Sequence, residues 1–148
     1  MTDEPLAKWV SILYRYSMIY ANSFLKDYGM SGGQLPFFMN IVNNPGITQE
    51  ELSKLLKIDK STTTRAVKSL CSSGYVLRKS DESDKRVYRL YPTQKAKRVE
   101  RVVLEKAKMW DAVLLKGFKE NERKSARRLL RLMVENALKY LDNEGESR

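Results

Sequence analysis

The stretch TQEELSKLLKIDKSTTTRAVKSLCSSG, residues 48–74, decides how this 148-residue chain folds. Thr48 and Glu51, three residues apart, form a capping box: the hydroxyl accepts from the amide at the third helical position while the carboxylate reaches back to the cap's own amide. Leu52, Leu55 and Leu56 then give a short helix its buried stripe. Lys57-Ile58 reads as a tight turn, and Asp59 is a good N-cap for a longer helix that ends near Gly74. In that second helix Thr63, Ala66, Val67 and Leu70 share one face, and Ser61, Thr62, Thr64, Arg65 and Lys68 share the other.

A short helix, a three-residue turn and a longer helix with a polar outer face make a helix-turn-helix. Such units lay the second helix in the DNA major groove with its N-terminal residues at the base edges. Arg65 is able to donate a bidentate pair to guanine, and the hydroxyls of Ser61, Thr62 and Thr64 reach bases or phosphates. Lys60 and Lys68 add positive charge to the same helix. The plainer alternative is an ordinary surface helix that tolerates its serines and threonines.

Beyond Gly74, Tyr75 to Lys79 and Val87 to Tyr91 are short β-prone runs, and the polar segment Ser80 to Arg86 between them suits an exposed hairpin tip. A hairpin directly after a recognition helix is a wing. Arg86 near its tip is placed for an adjacent minor groove, whose negative potential favours Arg. Lys85 lies beside it, and Asp84 shares a face with Arg86 if this part is extended, where it would hold the guanidinium. The plainer alternative for Asp84 and Arg86 is an exposed ion pair that fixes nothing.

The flanks are helical. Leu6, Trp9, Val10, Leu13, Tyr16, Tyr20 and Phe24 recur at helical spacing, with Gly29 as a stop. Ser31 with Gln34 is a second capping box, opening a helix through Leu35, Phe38, Ile41 and Val42 that Asn43-Asn44-Pro45-Gly46 breaks. After Pro92-Thr93 the pattern is helical to Phe118, and a last helix runs through Leu141, with fraying expected from Asn143. The expected class is mainly α with a small β-hairpin wing. One domain spans residues 1–148, with a winged lobe at 31–92 and flanking helices at 6–28 and 93–142.

Twenty-eight basic against eighteen acidic residues give a formal charge of +10, and residues 57–101 carry thirteen of the basic against five acidic. Charge so concentrated suits a polyanion, because each Lys or Arg near a phosphate releases a condensed counterion. Zero His and one Cys leave no material for a zinc site, a His-based triad or an internal disulfide. No apolar run approaches the roughly 18 residues that span a bilayer. These features predict a soluble cytoplasmic protein that is not an enzyme and has no cofactor.

The series Thr48-Gln49-Glu50-Glu51-Leu52, Asp59-Lys60-Ser61-Thr62-Thr63-Thr64-Arg65, Leu70, Gly74-Tyr75-Val76, Asp81, Asp84-Lys85-Arg86 and Leu90-Tyr91-Pro92-Thr93 resembles the MarR family of winged helix-turn-helix regulators. The D-x-x-D-K-R wing followed by a strand and a Thr-capped helix is the most specific part. The chain departs from the common pattern at Glu82 and Ser83, where Arg or a related polar residue is usual, and at Ala96, where Gly is common. The resemblance implies a homodimer whose first and last helices intertwine, two DNA-binding lobes, repression by operator occupancy, and release by ligand or oxidation.

The terminal segments are too long and too apolar for a winged-helix core alone, so their stripes are expected to bury against a second copy. A two-fold dimer sets its recognition helices about 34 Å apart, one turn of DNA, and so reads a pseudo-palindrome. Tyr14, Tyr20, Phe38 and Trp110 are candidates for a pocket holding a small aromatic or phenolic ligand, as the resemblance implies, although aromatics at helical spacing also make plain core. Cys71, one turn from Lys68, is a candidate redox residue or simply a small half-buried side chain. The leading expectation is a dimeric, sequence-specific regulator that binds double-stranded DNA. The alternative is a basic winged-helix module that binds RNA or an acidic protein.

Overall fold

The computed structural model describes residues 3–146. In chain order they form α1 (Leu6–Leu25), α2 (Leu35–Asn43), β1 (Ile47–Thr48), α3 (Gln49–Leu56), α4 (Lys60–Ser72), β2 (Val76–Ser80), β3 (Tyr88–Pro92), α5 (Gln94–Leu114) and α6 (Glu120–Glu146). The chain divides into two units, residues 1–106 and 107–148.

In the first unit, both capping boxes form. Thr48 Oγ1 accepts from the Glu51 amide at 3.1 Å and Glu51 Oε2 accepts from the Thr48 amide at 3.2 Å. The Ser31 box opens a single 3-10 turn, Gly32–Gln34, before α2 begins. Gln34 then donates to the Ser69 hydroxyl at 2.6 Å, tying the start of α2 to α4.

The turn between α3 and α4 is built from polar atoms. Lys57 takes a left-handed conformation at φ 56°, the only non-glycine residue with positive φ among those described. The Ser53 hydroxyl donates to the Ile58 carbonyl, and the Thr63 hydroxyl donates to the Asp59 carbonyl at 2.9 Å. Ser53 therefore sits inward with Leu52, and Leu55, expected in the buried stripe, is exposed. The inward face of α4 is as the spacing predicts: Thr63, Val67 and Leu70 are buried and Ala66 is half-buried.

The wing belongs to a three-stranded antiparallel sheet of order β1-β3-β2. Ile47 pairs with Leu90 and Thr48 with Arg89, so β1 adds a third strand to the expected hairpin. Both wing strands begin one residue later than their β-prone runs: Tyr75 turns inward, its amide donating to the Leu70 carbonyl at 2.9 Å and its ring meeting Phe38 edge-on, and Val87 belongs to the tip turn, its amide donating to the Asp84 carbonyl at 3.0 Å.

The core of this unit gathers Leu25, Phe38, Ile41, Leu52, Val67, Leu70, Tyr75 and Leu90 with Ala96, Val99 and Val103 of α5. The inner ends of both flanking helices thus pack into the winged lobe itself. Ala96 is wholly buried there, so its methyl is accommodated where the family commonly has Gly. The outer part of α1 differs: Leu6, Trp9, Val10, Leu13, Tyr16 and Ile19 are all exposed.

In the second unit, α5 ends at Leu114, four residues short of Phe118, because Gly117 adopts a left-handed φ of 84° that ends the turn. Glu122 accepts from the Lys119 amide at 2.8 Å at the start of α6, and Arg127 pairs with Asp111 at 3.3 Å. No α6 residue is buried, although Leu129, Leu130, Met133, Val134, Leu138 and Leu141 line it. The fraying expected from Asn143 does not occur up to Glu146, since Gly145 does not take the left-handed conformation that would stop the helix; residues 147 and 148 lie outside those described.

Replacing Thr48 with Ala removes one half of the α3 capping box. We expect the unfolding free energy to drop by about 1 kcal/mol in a urea titration, with Thr48→Ser retaining most of it.

Candidate nucleic-acid interface

The outer face of α4 is set by its first turn. Asp59 accepts from the Thr62 amide at 2.8 Å and from its hydroxyl at 2.8 Å, and these bonds hold the carboxyl below its ordinary pKa. Arg65 donates to Thr62 Oγ1 at 3.3 Å, which leans the guanidinium toward the start of the helix. Thr64 donates back to the Lys60 carbonyl at 2.8 Å and accepts from Gln49 Nε2 at 3.3 Å. The hydroxyl protons of Thr62 and Thr64 are therefore already used, leaving these two as acceptors toward any partner. Lys60, Ser61, Arg65 and Lys68 are exposed.

The wing tip is a compact turn and not an extended segment. Ser83 donates to Asp81 Oδ1 through its amide at 2.9 Å and its hydroxyl at 2.8 Å. Asp84 accepts three bonds from Arg86: its amide at 3.1 Å, Nε at 3.0 Å and Nη2 at 3.2 Å. That grip lowers the Asp84 pKa and holds a guanidinium whose side chain is still 90% exposed. The pairing of Asp84 with Arg86 thus comes from a turn, where the sequence suggested a shared strand face. Lys85 is exposed beside it.

What anchors this tip leaves no local mark in the sequence. Arg89 donates to Asp81 Oδ2 through Nε at 2.9 Å and to the Gly46 carbonyl through Nη1 at 2.9 Å. The wing is thereby fastened to the turn before β1. Arg89, one of thirteen basic residues in the charged segment, serves structure. Bonds from Ser83 and then Arg89 pull the Asp81 pKa down to about 2. The Asp81 to Arg89 spacing of eight residues carries no signal until the hairpin register is known.

Two clefts open beside the start of α3, one against the wing and one against α4. One of 220 Å³ is lined by Thr48, Gln49, Glu50, Arg78, Arg86, Val87 and Tyr88. The second, of 140 Å³, is lined by Gln49, Glu50, Lys60, Thr63 and Thr64. Gln49 and Glu50 line both, so the two clefts flank the start of α3, one beside Arg86 of the wing and the other beside Lys60 and Thr64 of α4.

The remaining candidates are dispersed. Cys71 is half-buried, and burial raises its pKa; the favourable charge near it comes from Arg78 and not from Lys68. Phe38 is wholly buried in the core, Tyr14 is exposed on α1, and the Tyr20 hydroxyl donates to the Lys106 carbonyl at 2.8 Å. Trp110, in the second unit, is half-buried. Among the described residues no group of three or more His, Cys, Asp or Glu is arranged to hold a metal ion, and no helix is long and apolar enough to cross a membrane.

A capped helix pair followed by a hairpin on a three-stranded sheet defines a winged helix-turn-helix protein. The chain belongs to the MarR family of transcriptional regulators. The family's model matches residues 28–87. The uncharacterized HTH-type transcriptional regulator YybA of Bacillus subtilis (strain 168) is 33% identical over 78% of this chain and 77% of its own length. The crystal structure of a MarR transcriptional regulator from Methanosarcina mazei Go1 superposes with a TM-score of 0.87 and 41% identity, covering 91% of this chain and 97% of that one. A MarR family regulator from Listeria monocytogenes, crystallised with a 26mer DNA, superposes with a TM-score of 0.80 at 30% identity, over 92% of this chain and 89% of that one.

The low Asp81 pKa sets a pH dependence. The ordinary value is 3.8, so the stabilisation is complete above it and is lost as pH falls through about 2. The stability difference between the wild type and Asp81→Asn should be largest at neutral pH and shrink over that acid window in chemical denaturation series.

Proposed function

We propose that the protein is a dimeric, sequence-specific regulator that binds double-stranded DNA and represses by occupying a pseudo-palindromic operator. The observation that carries this reading is the pair of neighbouring clefts, sharing Gln49 and Glu50, that set Arg86 of the wing and Lys60 and Thr64 of α4 on either side of the start of α3. It supports one surface on which a helix in the major groove and an arginine in the adjacent minor groove act together. Lys60, Ser61, Thr62, Thr64, Arg65 and Lys68 are its major-groove side, and Asp84, Lys85 and Arg86 its wing. The complex of the Listeria relative with a 26mer DNA supports DNA as the partner.

Dimerisation is supported by the apolar residues left exposed on α1 and α6, Ile19 and Val134 each at 67%. Faces this apolar are rare on monomers and are commonly covered by a self-complementary copy. Release by a small aromatic or phenolic ligand belongs to the same reading. Its candidates in the first unit are Tyr14, which is exposed, and Tyr20, which is half-buried, whereas Phe38 offers a ligand no surface. A cytoplasmic location follows from acting on DNA.

Selection of random duplexes by the purified protein tests the proposal: enrichment of a two-fold symmetric motif is expected, and no enrichment at low salt would overturn it. Arg65→Ala should cost about 1–3 kcal/mol at one position per half-site and relax preference there. Arg86→Ala should weaken binding in a titration at fixed salt while leaving the thermal melt unchanged.

A further inference from the structure

Arg78 and Tyr88 line the cleft beside Arg86 and have no task in the reading above. Arg78 pairs in register with Leu90, so Tyr88, two residues along β3, is its diagonal neighbour on the same sheet face. That face carries the buried Val76 and Leu90 at its inner end and overhangs the start of α3 at its outer end. The Arg78 guanidinium lies 4.3 Å from the centroid of the Tyr88 ring. Stacking covers the flat face of a guanidinium and leaves its N–H groups, which lie in the plane, free to donate.

The three wing arginines therefore differ in what they have left. Arg89 has spent its donors on Asp81 and Gly46. Arg86 has given Nε and Nη2 to Asp84. Arg78 makes no ion pair among the described residues, and its guanidinium lies over the Tyr88 ring, a contact that favours one orientation of the fork. The cleft it lines with Arg86 contains one carboxylate, Glu50, which faces its own cation in Lys54 at 3.4 Å.

We infer that Arg78, stacked on Tyr88, is a phosphate clamp: its free N–H edge takes a backbone phosphodiester of the duplex where the wing meets the start of α3. The clamp rests on the duplex-binding reading above. An oriented fork with unspent donors matches a phosphate's paired oxygens, whereas a lysine in its place would be an unstacked point charge. Contact with the backbone carries no base information, so the clamp sets register and affinity and leaves sequence choice to α4.

The test compares wild type, Arg78→Ala, Arg78→Lys, Tyr88→Phe and Tyr88→Leu by fluorescence anisotropy on the selected duplex and on a scrambled one. Salt is varied between about 50 and 200 mM. Arg78→Ala should weaken both duplexes by the same factor and flatten the slope of log affinity against log salt by about one per subunit. Tyr88→Phe, which keeps the ring, should match wild type. Tyr88→Leu and Arg78→Lys should both weaken binding, the first through lost orientation and the second through the lost fork. Both side chains are exposed, and unchanged thermal melts would confirm that the variants fold.

An Arg78→Ala protein with wild-type affinity and slope, beside an Arg86→Ala protein that binds poorly, overturns the clamp alone. Loss confined to the selected duplex overturns it too, since Arg78 would then read bases. Wild-type affinity in Tyr88→Leu overturns the stacking role. A wild-type protein that ignores every duplex overturns the clamp together with the reading beneath it.

Discussion

The reversal of the chain between α3 and α4 is the constraint on which the rest of the lobe depends. It takes place in three residues and puts a lysine in the left-handed conformation, which costs a residue with a Cβ roughly 1–2 kcal/mol. Three polar bonds answer that strain: Ser53 to the Ile58 carbonyl, Thr63 to the Asp59 carbonyl, and the Thr62 amide to Asp59. Buried hydroxyls are tolerated here because each has a partner. With the turn fixed, Val67 and Leu70 are carried into the core and Lys60, Ser61, Arg65 and Lys68 are turned out. The polar face of α4 is thus a consequence of how its first turn is fastened.

The wing depends on a second fastening of a different kind. A two-stranded hairpin is marginal by itself. Here it gains a third strand in β1 and a charged brace in Arg89, which reaches both Asp81 at the tip and the Gly46 carbonyl before β1. The brace and the Ser83 bonds hold Asp81, and the tight turn that results sets Asp84 beside Arg86. A guanidinium can then be highly exposed and still oriented. Orientation before contact lowers the entropy cost of binding a side chain as flexible as arginine.

Much of this was legible because the signals are local. Both capping boxes, the Asp59 cap and the inward face of α4 depend on spacings of three and four residues, which the helix itself dictates. The misses have the opposite character. β1 is two residues long and too short for any alternation to show. Leu55 followed the apolar pattern, yet Ser53 took the inward place because its hydroxyl had a carbonyl to reach. Arg89 counted as one more positive charge until the hairpin register brought Asp81 and Gly46 to it. For Phe38 the spacing left pocket wall and plain core both open, and its complete burial favours core, since periodicity marks an apolar face without telling what lies against it.

Taken alone, the order of residues determined the capped helix pair, the place of the wing, the basic segment from 57 to 101 and the family. These follow from hydrogen bonds and apolar stripes that close within a few residues. Only the tertiary structure decided which cations are spent and which are free, and that the wing and α4 flank neighbouring clefts at the start of α3. Those outcomes rest on contacts between residues such as Arg78 and Tyr88 or Arg89 and Gly46, ten to forty-three positions apart. No local pattern specifies them, because their distances are set by strand register and by the packing that fixes it.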